Sequence, residues 1–122
     1  MRQIRADPSY LDDPEIAPSQ AVKKKINLLL FELENLLNDP PIEIDLYSWI
    51  DDVDRVMDKI NENSPHAFSY LESLVLEAEK RAEEHVRNLD EEEEPHIIEE
   101  SRNLYFEQVG FTLSEINSLK FL

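Results

Sequence analysis

Apolar residues recur at helical spacing through most of this chain and predict four to five α-helices. The first helix is expected to begin after Ser19 and to end near Asn38. Its apolar stripe consists of Val22, Ile26, Leu29, Leu30, Leu33, Leu36 and Leu37. The second predicted helix extends from Leu46 to about Asn61, with an apolar face made of Leu46, Trp49, Ile50, Val53, Val56, Met57 and Ile60.

Capping residues indicate where the second and third helices begin. Asp45 stands directly before the second apolar stripe, where an N-cap is expected. Ser64 and Pro65 form a stronger signal, because a serine cap is followed by a proline that fits the first helical position. We therefore predict a third helix from Pro65 to about Leu89. Separately, Trp49 on the apolar face of the second helix is predicted to be a core residue.

The C-terminal part of the sequence contains a turn signal. Pro95 is expected to start a fourth helix, with Gly110 as its C-terminal stop. Thr112 and Glu115 have the spacing of a capping box, which predicts a short fifth helix. The segment Val109-Gly-Phe-Thr-Leu-Ser-Glu-Ile116 resembles the Gly-Phe-Ser-Leu-x-Glu-Ile segment that joins two helices in the DNA-binding domain of MerR-type regulators. We interpret it as a corner between helices and derive no function from it.

These elements predict an all-α protein, a compact bundle of four to five helices with an extended N-terminal arm. Residues 19–122 are expected to form a single helical domain. The sequence has a single glycine, and tight turns between β-strands require residues that accept a positive φ angle. Residues 1–18 contain Pro8, Pro14 and Pro18 and show neither helical nor strand periodicity, so we expect an extended, Pro-containing arm there.

Charge narrows the range of partners. The chain has 28 Asp and Glu against 12 Lys and Arg, a formal net charge of −16. Such a field repels nucleic acids and anionic membranes and attracts basic protein surfaces, so we expect no direct contact with nucleic acid or membrane. The run Lys23, Lys24 and Lys25 is an exception to this acidity. It lies near the positive end of the first helix, where lysines oppose the helix dipole, which suggests a role other than helix stability.

Two stripes of carboxylates are the candidate partner-binding residues. They consist of Asp51, Asp54, Asp58 and Glu62 on the second helix and Glu72, Glu79 and Glu83 on the third. The four on the second helix lie within about 80° of one another, opposite its apolar face. One interpretation is the solvated side of an amphipathic helix, and the other is a regular negative array that imitates a phosphate backbone.

The sequence therefore favours an acidic protein–protein interaction module that binds a basic partner surface. It would act as an inhibitor or neutraliser of a nucleic-acid-binding protein or nuclease. An alternative is a structural or adaptor subunit, or a helical homo-oligomer, in which the acidic residues keep the surface soluble. Four apolar residues lie at or beyond the edges of their stripes, and their joint exposure would favour an oligomer or a partner patch. They are Leu28, Phe31, Tyr70 and Leu76.

Candidate catalytic chemistry is sparse. The chain has no Cys, no Gly-x-Ser-x-Gly sequence and no Gly-rich phosphate loop. Glu91 and Glu94 resemble the first Glu-x-x-Glu pair of all-helical nucleotide pyrophosphohydrolases, and this resemblance makes a metal-dependent all-α phosphohydrolase a second alternative. The second acidic pair of that family does not follow in this sequence. We expect no enzyme activity, cofactor or metal site. We also expect a cytoplasmic location, because the N-terminus does not resemble a secretory signal.

Overall fold

The computed structural model describes residues 20–39 and 45–120, which form four α-helices. The helices are α1 (Gln20–Asn38), α2 (Leu46–Asn63), α3 (Pro65–Asp90) and α4 (Pro95–Leu119). Within these two ranges there is no β-strand, and the predicted all-α bundle is confirmed. The predicted arm, residues 1–18, lies outside the described residues.

The four helices enclose one hydrophobic core. Each helix packs against the next along the chain, and α1 also contacts α4, which closes the bundle. Trp49 is only 6% exposed and belongs to this core, as predicted. Eight aliphatic side chains at its centre have no measurable exposure, namely Leu30, Leu33, Leu37, Val53, Ile60, Leu71, Ala78 and Ile116. In the described part of the chain, none of the helices has an apolar stretch long enough to cross a membrane.

Side chains from α2 and α4 hold the C-terminal end of α1. The last carbonyl groups of a helix have no partner within the helix. The Trp49 indole N–H donates to the Leu36 carbonyl at 2.8 Å, and the Tyr105 hydroxyl donates to the Leu37 carbonyl at 2.6 Å. The two rings meet edge to face with centroids 6.2 Å apart. Burial, followed by the charge of Asp39, raises the pKa of Tyr105 above its usual value, which keeps this hydroxyl a donor.

The two predicted N-caps differ in outcome. Ser64 caps α3 as expected, since its hydroxyl oxygen accepts a hydrogen bond from the Ala67 amide at 3.2 Å, and Pro65 occupies the first helical position. Asp45 occupies the N-cap position of α2 as predicted, but its side chain makes no capping hydrogen bond. Its backbone, at φ −92° and ψ 0°, is not in the extended conformation from which an N-cap side chain reaches the first turn.

The predicted break at Gly110 is wrong. α4 continues through this residue with a negative φ angle, so the short fifth helix does not exist as a separate element. Thr112 lies inside α4, where its hydroxyl donates to the Gln108 carbonyl at 2.9 Å. Burial explains the continuity, because one inward face extends across the glycine and outweighs its cost of about 1 kcal/mol in a helix. That face consists of Tyr105, Val109, Thr112 and Ile116.

The left-handed residue at the end of a helix is instead Glu92, in the connection between α3 and α4. Glu92 has a φ angle of 51°. The amide of Glu93 donates to the Asn88 carbonyl at 3.0 Å, and that of Glu92 donates to the Leu89 carbonyl at 3.1 Å. This pair of bonds defines a Schellman motif, in which glycine is the usual residue at the left-handed position. The acidic run therefore ends α3 with a residue that is strained there.

Candidate functional site

The two predicted carboxylate stripes meet in a groove between α2 and α3. Asp54 and Asp58 line it from α2, and Glu72 and Glu79 line it from α3. Its floor is apolar and is made of Met57, Phe68, Val75 and Leu76. The groove has a volume of about 240 Å³. We call these eight residues the acidic groove.

Helical periodicity places the four carboxylates at the border of the core. Asp54 follows Val53, and Glu79 follows Ala78, both of which are fully buried. A residue next to a buried position is rotated by about 100° around the helix, so its side chain emerges beside the core instead of opposite it. Ser64 is the only residue between α2 and α3, and this short connection brings the two borders together. The carboxylates therefore flank the seam between the helices.

The structure does not bring all seven predicted partner-binding residues together. Asp51 and Glu62 on α2 and Glu83 on α3 are exposed and do not line the acidic groove. Asp51 lies toward the start of α2 and Glu62 toward its end, so the stripe extends beyond the groove in both directions. The remaining four residues form the candidate site.

Glu79 differs from the other groove carboxylates in its environment. Burial is the largest influence on it, followed by the interaction with Asp54 and the charge of Glu83, and together they raise its pKa from the usual 4.5 to about 8. Its Oε2 atom is buried and has no hydrogen-bond partner among the described residues. Glu79 therefore carries a proton at neutral pH and provides a hydrogen-bond donor among exposed carboxylates.

The four apolar residues at the edges of the stripes are exposed, and they lie in three separate places. Leu76, 51% exposed, lies in the acidic groove. Leu28 and Phe31, 60% and 56% exposed, lie together on the outer side of α1. Tyr70 is half exposed and its ring meets that of His66 edge to face, with centroids 4.9 Å apart. Of these places, the first is surrounded by acidic residues and the second lies beside lysines.

Buried polar contacts between α3 and α4 were not predicted from the sequence. Nδ1 of His85 lies 3.0 Å from the Ser101 hydroxyl oxygen. The Ser101 hydroxyl donates its hydrogen to the Ile98 carbonyl at 2.9 Å. Ser101 is only 5% exposed, so the pair does not present a nucleophile at the surface. Burial, and then the charge of Arg102, lowers the pKa of His85. We interpret the contact as a cross-link between helices. The signal in the sequence is a serine at a helical interval from Tyr105 on the inward face of α4, where Gln108 and Thr112 are buried as well.

The residues considered for metal chemistry flank the connection between two helices. Glu91 and Glu94 are located in the α3–α4 connection. Across residues 20–39 and 45–120, no group of three or more His, Cys, Asp or Glu side chains is arranged to hold a metal ion.

No family model, curated protein or solved structure matches this chain. The segment from Val109 to Ile116, which resembles part of MerR-type regulators, lies within α4 and forms no corner between helices. The acidic groove is the feature whose geometry and charge most restrict what the protein can bind.

Proposed function

We propose that this chain is an acidic interaction module that binds a basic protein surface through the acidic groove. In this role it inhibits or neutralises a nucleic-acid-binding protein or nuclease. The supporting observation is the convergence of carboxylates from α2 and α3 on one groove, in a chain whose formal net charge is −16.

Asp54, Asp58 and Glu72 supply the negative array in this proposal. Carboxylates one helical turn apart stand roughly 5–6 Å from each other, close enough for neighbouring Lys and Arg side chains of a partner to engage them together. A protein surface built to hold phosphates meets the same requirement, since Arg pairs with carboxylate and phosphate in similar geometry. The net charge of the whole chain steers such a surface toward the groove.

The apolar floor adds a contact that a phosphate backbone does not offer. Leu76 is half exposed and lies in the groove with Glu79. Glu79 is protonated at neutral pH, which reduces the negative charge around Leu76. A partner that places an apolar side chain on Leu76 gains affinity that salt does not screen. The proposal therefore combines a salt-sensitive contribution from the rim with a salt-resistant one from the floor.

The test compares two variants that remove the same number of negative charges at neutral pH. The groove variant combines Asp54→Asn, Asp58→Asn, Glu72→Gln and Glu79→Gln, which removes three charges because Glu79 is already protonated. The control variant combines Glu91→Gln, Glu99→Gln and Glu100→Gln, none of which touches the groove. Immobilised wild type and control are expected to capture the same basic protein from a lysate of the encoding organism. The groove variant is expected to lose it, and unrelated DNA is expected to release it from the wild type.

Two results would contradict parts of this proposal. Equal capture by the groove variant and the wild type would refute the groove as the binding surface. A partner that binds this chain and DNA simultaneously, without competition, would refute inhibition by phosphate imitation and leave a simpler interaction role.

A second candidate function is that of a structural or adaptor subunit in a helical homo-oligomer. The observation that favours it is the exposure of Leu28 and Phe31, 60% and 56%, on a face of α1 outside the acidic groove. Large apolar side chains exposed together are typical of contact surfaces.

A further inference from the structure

The outer side of α1 combines apolar and charged residues in an ordered pattern. Lys24, Leu28 and Glu32 are all exposed and follow one another at intervals of four residues, so they lie along one side of the helix. Phe31 is exposed beside Leu28. None of these residues lines the acidic groove, so the two surfaces are distinct.

This pattern is complementary to itself when the helix direction is reversed. If a twofold axis passes through Leu28, a residue that precedes Leu28 by a given number of positions faces the residue of the second copy that follows Leu28 by the same number. Lys24 then faces Glu32 of the second copy, and Lys25 faces its Phe31. Opposite charges meet at the first pair, and an ammonium group meets an aromatic ring at the second. The two Leu28 side chains meet on the axis.

We propose that this face of α1 binds the same face of a second copy, in an antiparallel arrangement with Leu28 on the twofold axis. A symmetric pair is the commonest form of homo-oligomer, and its interface must be complementary to itself. The proposal does not depend on the role of the acidic groove, which stays accessible in both copies.

Charge distribution also selects this face. Two chains of formal net charge −16 repel each other at most orientations. Lys23, Lys24 and Lys25 form the longest basic run of the sequence, so this part of α1 reduces the repulsion where two copies approach. The same run opposes the helix dipole, and an antiparallel second helix gives Lys24 an acidic partner in Glu32 of the second copy. Contact through one helix per copy is small, and interfaces of this size are typical of weak, transient association.

The test measures the self-association of the full chain by sedimentation at concentrations from micromolar to millimolar. The wild type is expected to approach twice the monomer mass. Leu28→Asp is expected to keep the monomer mass throughout, with an unchanged helical spectrum because Leu28 is 60% exposed. Phe111→Asp is the matched control, since Phe111 is 59% exposed on α4 and lines neither this face nor the acidic groove, and it is expected to associate like the wild type.

Charge reversal separates specific pairing from general repulsion. Lys24→Glu changes the net charge from −16 to −18, and Glu32→Lys changes it to −14. If only general repulsion acted, the two variants would change self-association in opposite directions. The proposed pairing predicts that each variant weakens self-association about tenfold, because each creates two like-charge contacts in the symmetric dimer. The double variant restores both pairs and is expected to associate like the wild type. Residues 24 and 32 are two helical turns apart, so rescue requires a second copy.

A cysteine placed on the axis provides an independent readout. The chain has no Cys, so oxidised Leu28→Cys is expected to form a disulfide-linked dimer much faster than Tyr70→Cys.

Three results would overturn the proposal. The first is a monomer at every concentration, and the second is opposite effects of the two charge reversals. The third is a full-length monomer that dimerises only after residues 1–19 are removed, since those residues would then be the occupant of this face.

Discussion

Replacement of Glu79 by Gln tests the electrostatics of the acidic groove directly. Burial, followed by the interaction with Asp54 and the charge of Glu83, raises the pKa of Glu79 from 4.5 to about 8 in the folded protein. In the unfolded chain the carboxyl group returns to its ordinary pKa. Between these two values the folded state binds more protons than the unfolded state, so stability falls as the pH rises from 4.5 to about 8. Gln resembles the protonated acid and does not lose this stability.

The magnitude follows from the pKa change and from the exposure of the group. A tenfold change in proton affinity corresponds to about 1.4 kcal/mol. Glu79 is only partly buried, and water screens its interactions, so we discount the full linkage value to about 1–2 kcal/mol. The variant is expected to match the wild type near pH 4.5, where both side chains are neutral, and to exceed it by that amount near pH 9.

Urea unfolding across this pH range, followed by tryptophan fluorescence, measures the difference. Glu72→Gln is the matched control, since Glu72 lines the same groove but is exposed. It is expected to show no comparable change with pH. Asp54→Asn is expected to make the loss of stability with rising pH smaller and to end it at a lower pH than in the wild type, because Asp54 contributes to the raised pKa of Glu79. A difference between Glu79→Gln and the wild type that is constant with pH would refute this reasoning.

Four further predictions concern the bundle. Gly110→Ala is expected to raise the free energy of unfolding by about 1 kcal/mol, since Gly110 lies within α4 and an added Cβ meets nothing within 4 Å; a loss in urea unfolding would indicate a strained glycine after all. Glu92→Gly is expected to raise it by up to about 1 kcal/mol, because its φ angle of 51° favours glycine, and a lower melting temperature would contradict this. Tyr105→Phe is expected to lower it by about 1–3 kcal/mol, since the Leu37 carbonyl loses its donor; an unchanged urea midpoint would show that the bond contributes nothing. Deletion of residues 1–18 is expected to leave the melting temperature nearly unchanged, and a fall of more than about 10 °C would show that they are structural.

Local signals predicted the first three helices well, because the information that defines them lies within a few residues. The stripe of α1 and the pair Ser64 and Pro65 satisfy helical periodicity and backbone hydrogen bonding without help from distant parts of the chain. The cap expected at Asp45 depends on a backbone conformation that the residue type alone does not determine.

Gly110 and Glu92 show where local preference fails. Glycine usually ends helices and glutamate usually extends them, yet here the glycine lies inside α4 and the glutamate is left-handed after α3. Burial of the face that crosses Gly110 decides the first case, whereas Glu92 is exposed and its conformation accompanies the hydrogen bonds that end α3. The spacing of Tyr105, Val109 and Thr112 already continued a helix across Gly110, and that pattern was the better guide.

The acidic groove could be predicted only in part. Periodicity assigned each carboxylate to a side of its own helix, but not the rotation of α2 against α3. The proximity of Asp54 and Glu79, which are distant in sequence, depends on that rotation. Because periodicity does not determine this rotation, the sequence predicts Asp51 and Glu62 as partner-binding residues together with Asp54 and Asp58, although they lie outside the groove.

The position of Trp49 provides an optical reporter of assembly. It is the only tryptophan in the sequence, and its indole contacts the end of α1 and the ring of Tyr105 from α4. Emission excited at this residue therefore responds when any of three helices separates, whereas circular dichroism averages over all helical residues. Coincidence of the two signals during unfolding would show that the bundle melts as a unit. An earlier change in emission would show that the packing of α1, α2 and α4 around Trp49 loosens before the helices themselves unfold.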